Sequence, residues 1–195
     1  MPPQRLKASG QKAIGEAGNS AWGLPALHRN HVWPYDFVSC RTVDGGGLRI
    51  LNVIDEHTRE ALGSRVARSI GARDVITHLD KLFTQHGRPK FMRADNGREF
   101  IADMVQAWLA EQQVYTAFIE KASPQQNCYI EGFNGSIRRE PLNAEMFHSV
   151  LEAKVVVEEW LELYNTRRPH LGLGGRTPAA YAKMSRDCCS PTWWR

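Results

Sequence analysis

Apolar and polar positions begin to alternate at residue 31. The run HVWPYDFVSCRTV (31–43) predicts a strand despite Pro34. DGGG at 44–47 is a turn signal, and LRILNVID (48–55) is a second, largely apolar strand. EALGSRVARSI (60–70) predicts a third strand, so short turns join three strands into an antiparallel meander. The period then lengthens. In ARDVITHLDKLFTQHG (72–87), Val75, Ile76, Leu79, Leu82 and Phe83 recur at helical spacing, and Gly87 stands where a glycine ends a helix. KFMRAD (90–95) is a short strand running into Asp-Asn-Gly. REFIADMVQAWLAEQQ (98–113) is an amphipathic helix, and VYTAFI (114–119) is a fifth strand.

Ser123 followed by Pro124 reads as an N-cap with proline at the first helical position. The helix it opens contains CYIEGFNGSIRRE (128–140). Asn127, Glu131, Asn134 and Arg138 lie along one stripe of that helix, while Ile130, Phe133 and Ile137 form a second stripe turned to the interior. Pro141 lacks an amide hydrogen, which predicts a helix end near Glu140. A last amphipathic helix is expected over 148–165, then the Gly- and Pro-rich segment TRRPHLGLGGRTP. The predicted order is β-β-β-α-β-α-β-α-α, an α/β class in which the meander feeds a strand that pairs in parallel.

Residues 1–30 show no sustained period and read as an irregular basic leader. The patterned core occupies 31–180, and 181–195 reads as a tail. At 195 residues, one domain with a proper core is expected. No run approaches the roughly 18 apolar residues of a membrane helix, and the amino terminus lacks a signal-peptide pattern. The expected location is the cytoplasm, with no membrane partner. Net charge is +4, and its distribution says more than its total. Arg5, Lys7, Lys12 and Arg29 face only Glu16 in the first 30 residues, and Arg167, Arg168, Arg176, Lys183, Arg186 and Arg195 face Glu162 and Asp187 near the other end. Basic ends suit contacts to phosphate, and they equally suit solvated tails. Cys40, Cys128, Cys188 and Cys189 form no CxxC pair and read as free thiols. Trp33, Trp108 and Trp160 read as packing residues.

Asp36 sits between Tyr35 and Phe37 in an otherwise apolar strand, where an ionised carboxylate is costly without compensation. Asp95 ends the fourth strand and Glu131 lies on the helix after the fifth. Taken singly, each reads as a solvated acid or a turn former. Together, acids from a central strand, a neighbouring strand end and a helix can converge at one sheet edge. Such hard oxygen ligands suit Mg²⁺ or Mn²⁺. Two ions about 3.5–4 Å apart can activate an attacking hydroxyl and stabilise a leaving oxygen in phosphoryl transfer.

Asp36, Asp95 and Glu131, with 35 residues between the last two, resemble the acidic triad of retroviral-integrase-like DDE recombinases. The local motifs VWPYDFV, NVIDEHTRE, RADNGREF and SPQQNCYIEGFNGSIRRE carry the same resemblance. YNTRRPHLGLGGRTP is similar to the closing motif of insertion-sequence transposases of the two-reading-frame kind. The likeness runs from about Asn30 to Ala180. It implies an RNase H-like fold, a five-stranded mixed sheet with helices on both faces. It also implies a transposase that cleaves element ends and then joins a freed 3′-hydroxyl to target DNA by in-line transesterification. Asp36, Asp95 and Glu131 would hold two Mg²⁺ or Mn²⁺ ions. Arg138 matches the family's basic residue near the reacting phosphate, and Asn134 matches an Asn that supports substrate or carboxylate. Apart from the resemblance, Arg167, Arg168 and His170 read equally as contacts to the DNA backbone or as a structural closing motif with solvated arginines. The implied partners are transposon ends, target DNA, further copies of the chain and the product of an upstream reading frame.

Three departures accompany the likeness. The leader is expected to be too short and irregular to replace the helix-turn-helix region that precedes this core in the family. Cys128 stands where a small residue is usual, and Pro141 where apolar residues usually continue. The alternative reading is a non-catalytic remnant that binds DNA or an intact transposase. A nuclease of the RNase H kind is a third, which Arg138 and YNTRRPH disfavour.

Overall fold

The computed structural model describes residues 24–94, 103–118 and 127–187. Strands β1 (Val32–Arg41), β2 (Gly47–Ile54) and β3 (Ala61–Ala67) form the expected meander. Helix α1 (Ala72–His86) leads to β4 (Phe91–Ala94), and α2 (Asp103–Glu111) leads to β5 (Tyr115–Phe118). The sheet order is β3-β2-β1-β4-β5. β1 pairs antiparallel with β2 and parallel with β4, so β1 is central and the sheet is mixed. Helices α3 (Cys128–Ile137) and α4 (Val150–Arg167) follow, and α5 (Pro178–Asp187) closes the described chain.

Local chemistry sets the connections. Gly45 adopts φ +80 in the β1–β2 turn, where a side chain would be strained, and its amide donates to the Thr42 carbonyl at 2.8 Å. Asp74 accepts from the Gly71 amide at 3.1 Å at the start of α1, and Gly87 (φ +87) ends that helix by donating to the Phe83 carbonyl. Ser149 caps α4 by accepting from the Glu152 amide at 3.0 Å.

Alternation along the strands splits the core between the two sheet faces. Trp33, Tyr35, Leu51, Val53 and Leu62 meet α1 and α2 on one face. Val38, Leu48, Ile50, Ile54 and Ala61 meet α3 and α4 on the other. This is the RNase H-like arrangement implied by the sequence motifs, and Trp33 is fully buried, as a packing anchor should be.

Two expectations need correction. The helix carrying Glu131 does not stop near Glu140. It continues through a π-helical turn, Arg138–Leu142, that contains Pro141. A regular helix would drive the proline ring into the carbonyl four residues back, and the wider turn makes room for it. Pro141 and Leu142 are buried there, so packing supports the irregular turn. The second correction concerns the Gly- and Pro-rich segment. It forms a 3₁₀ turn at Leu171–Leu173 and an isolated bridge between His170 and Arg176, then enters α5. Thr177 accepts from the Ala180 amide at 3.3 Å, and Pro178 takes the first helical position. Ala182 is fully buried, so packing continues past position 180.

Candidate active site

Asp36 lies near the middle of β1 on the face covered by α3, partly buried. Its cross-strand partner on β2 is Asn52, whose partner on β3 is Ser64. These three polar residues form one row across a largely apolar face. Asn134, one turn after Glu131 on α3, reaches into the row. Its Nδ2 donates to Asp36 Oδ2 at 2.9 Å, and its Oδ1 accepts from Asn52 Nδ2 at 2.7 Å. Ser64 Oγ donates to Asn52 Oδ1 at 2.5 Å. The other Asp36 oxygen, Oδ1, accepts from the Phe37 amide at 2.7 Å.

Helix α3 can lie here because Ile130, Phe133 and Ile137 are buried against the sheet, leaving the neighbouring stripe over β1. Glu131 and Arg138 are exposed on that stripe, one turn to either side of buried Asn134. Burial raises the Cys40 thiol pKa while the positive charge of Arg138 opposes the shift. Asn134 thus bonds the Asp36 carboxylate, and Glu131 and Arg138 share the helical stripe that makes this contact.

Asp95 lies outside the described residues, as do the proposed Ser123–Pro124 cap and the Cys188–Cys189 pair. Among the described residues, no three His, Cys, Asp or Glu side chains gather closely enough to hold a metal ion. Arg93, two residues before Asp95 in the sequence, is tied into the fold. Arg93 of β4 makes a buried ion pair with Glu56 at 2.8 Å, and its guanidinium also donates to the Leu24 carbonyl. Burial raises the Glu56 pKa, while Arg93 and Arg59 draw it back down.

The closing motif divides between scaffold and surface. Asn165 holds both backbone groups of Ala61, accepting from its amide at 2.8 Å and donating to its carbonyl at 2.9 Å. Arg168 pairs with Glu140 at 2.7 Å, and Trp160 Nε1 donates to the same carboxylate at 2.8 Å. Arg167 is exposed at the end of α4. Thus Arg168, expected at DNA, is engaged within the fold. Trp160 borders the core through edge contact with Phe133, and Trp108 stacks on Phe83.

Asn52 and Ser64 did not emerge from the sequence motifs as site residues. The available signal was an Asn inside the apolar run LRILNVI, opposite Asp36 if the strands fold back about Asp44. Arg59 was likewise overlooked. It adopts φ +60 in the β2–β3 turn, and its guanidinium lies 3.2 Å from the centroid of the Tyr129 ring on α3.

Among the described residues, no helix is long and apolar enough to cross a membrane. Models of the integrase core domain match residues 26–124 and 112–178. A protein of insertion element IS476 from Xanthomonas euvesicatoria is 36% identical over 93% of this chain and 52% of its own length. The transposase of insertion sequence element IS904 from Lactococcus lactis is 27% identical over 80% of this chain and 62% of its own. The chain thus spans between half and two thirds of these relatives. The catalytic core domain of HTLV-2 integrase, in a structure with magnesium, superposes with a TM-score of 0.65 at 16% identity, covering 81% of this chain and 99% of that domain. With integrase core domain models matched across the sheet and its helices, the chain belongs to the integrase core family and is similar to proteins of insertion elements.

Proposed function

We propose that the chain is the catalytic core of a transposase that cuts insertion-element ends and joins them to target DNA by metal-dependent phosphoryl transfer. The observation carrying this reading is the 2.9 Å hydrogen bond from Asn134 to Asp36, which ties the Glu131 helix to the central strand. The parallel pairing of β4 with β1 supports the third position. Arg93 is level with Pro34, and Asp95 and Asp36 each follow two residues later in sequence.

Asp36, Asp95 and Glu131 would hold Mg²⁺ or Mn²⁺, and their carboxylate oxygens match the preference of these hard cations. Two bound ions would supply activation of an attacking hydroxyl and charge stabilisation at the leaving oxygen. The protein's own contribution is orientation. Asn134 and the Phe37 amide hold one Asp36 oxygen each, fixing the carboxylate before substrate arrives. Exposed Arg138 offers a guanidinium to a DNA phosphate beside the same stripe. Arg167 extends the basic surface at the end of α4. Arg168 adds to it only by exchanging Glu140 for phosphate. Joining two ends requires at least two copies on DNA, and the product of an upstream reading frame is a further candidate partner.

Oligonucleotides carrying the element's ends test the reading in Mn²⁺ or Mg²⁺. Asp36→Asn and Glu131→Gln should each lower end cleavage and joining by at least about 100-fold while leaving the melting temperature near that of the parent. Undiminished joining by either variant refutes the assignment. DNA binding without cleavage by the parent chain would instead favour a non-catalytic remnant.

A further inference from the structure

We propose that Asn52 and Ser64 are positioning residues that set the Asp36 carboxylate through Asn134. This rests on Asp36 being a metal ligand. The hydrogen bonds have one direction. Ser64 donates to Asn52 Oδ1, Asn52 Nδ2 donates to Asn134 Oδ1, and Asn134 Nδ2 donates to Asp36 Oδ2. An ionised carboxylate only accepts, so it requires the NH₂ end of Asn134. A reversed Asn134 would set oxygen against oxygen.

What prevents reversal is Asn52. Its side chain is fully buried, so water cannot substitute for its partners. With Ser64 occupying its oxygen, its NH₂ faces Asn134 and fixes the second amide in turn. The cross-strand row places Asp36, Asn52 and Ser64 side by side on adjacent strands, and Asn134 enters from the helix above. The relay thereby runs from β3 to β2 and then through α3 to β1. An isolated buried Asn would need only a partner. A chain of amides with one consistent direction, ending on the candidate ligand, serves orientation.

Mn²⁺ alone is the probe, titrated into the full chain by calorimetry or by loss of the free-ion paramagnetic resonance signal. Asn52→Leu removes both polar ends at similar volume and should weaken Mn²⁺ binding about 10-fold. Asn52→Asp can only accept, draws the Asn134 NH₂ away from Asp36, and should weaken binding at least as much. Ser64→Ala should give a smaller loss, about 3-fold, and Ser64→Thr, which keeps the hydroxyl, should restore it. Melting and circular dichroism identify any variant that fails to fold, and Ser64→Ala tests the relay if Asn52→Leu is such a variant. Affinity within twofold of the parent in folded Asn52→Leu and Ser64→Ala, with binding lost in Asp36→Asn, overturns the relay and leaves the metal site standing. Unchanged Mn²⁺ binding in Asp36→Asn overturns both.

Discussion

Asp36 lies within an apolar strand and Asp55 directly follows one, and their partners distinguish them. Asp55 is fully buried and accepts from the Asn30 amide at 2.7 Å, Trp33 Nε1 at 3.2 Å, and the Thr58 amide and hydroxyl at 2.8 and 3.0 Å. Both its oxygens are committed to organising the β2–β3 turn and the entry to β1. Asp36 is only partly buried, and its row opens toward the exposed stripe of α3. In sequence, both acids look costly. Only their neighbours separate an internal turn organiser from a candidate ligand. Replacing Asp55 with Ala strands several buried donors and should cost at least about 3 kcal/mol, read from urea unfolding. A loss below about 1 kcal/mol would show that water or repacking satisfies those donors.

At the scale of elements, docking decides how polar residues behave. α1 sets His78 against β3, where a Cβ on Gly63 would come within 3.5 Å of the ring. Burial lowers the His78 pKa from 6.5 to about 4. The unfolded chain therefore takes up a proton in a range where the folded chain does not. Stability associated with neutral His78 is fully present above pH 6.5 and is lost as pH falls toward 4. The difference amounts to about 3 kcal/mol at most. In His78→Gln, urea midpoints measured from pH 7 to pH 4 should fall less steeply than in the parent, and parallel curves would refute the assignment. The π turn shows the same control by packing. Pro141 announces a helix end from local chemistry, yet burial of Pro141 and Leu142 carries the chain on and brings Glu140 to Trp160 and Arg168.

Across the whole molecule, the sheet separates two cores that share few side chains. Leu79 is fully buried in the α1–α2 core, and Leu161 is buried in the α3–α4 core. Leu79→Ala and Leu161→Ala should each cost about 2–5 kcal/mol. Because they lie on opposite faces, their effects should add to within about 0.5 kcal/mol in the double variant, by chemical denaturation. A larger deviation would mean that the sheet transmits packing changes from face to face. The proposed polar relay runs along one face and requires no such transmission. This geometry makes Mn²⁺ affinity, rather than global stability, its informative readout.

Strand alternation, helical spacing and turn residues were sufficient to specify five strands, their approximate limits and the mixed α/β class, because these signals operate within a few residues. The same local reading singled out Asp36, Glu131, Asn134 and Arg138, since a polar residue in an apolar strand or on a helical stripe is visible without a partner. Helix α5 was not expected, because the glycines of TRRPHLGLGGRTP break any local period ahead of it. Tertiary structure alone decided which polar groups meet. Asn52 joins Asn134 across 82 residues, Asn165 secures Ala61 across 104, and Arg168 reaches Glu140 across 28. The reason is physical. Propensity and hydrophobic period select an element and its inward face, whereas hydrogen-bond partners depend on strand register and helix docking, to which residues distant in the chain contribute together.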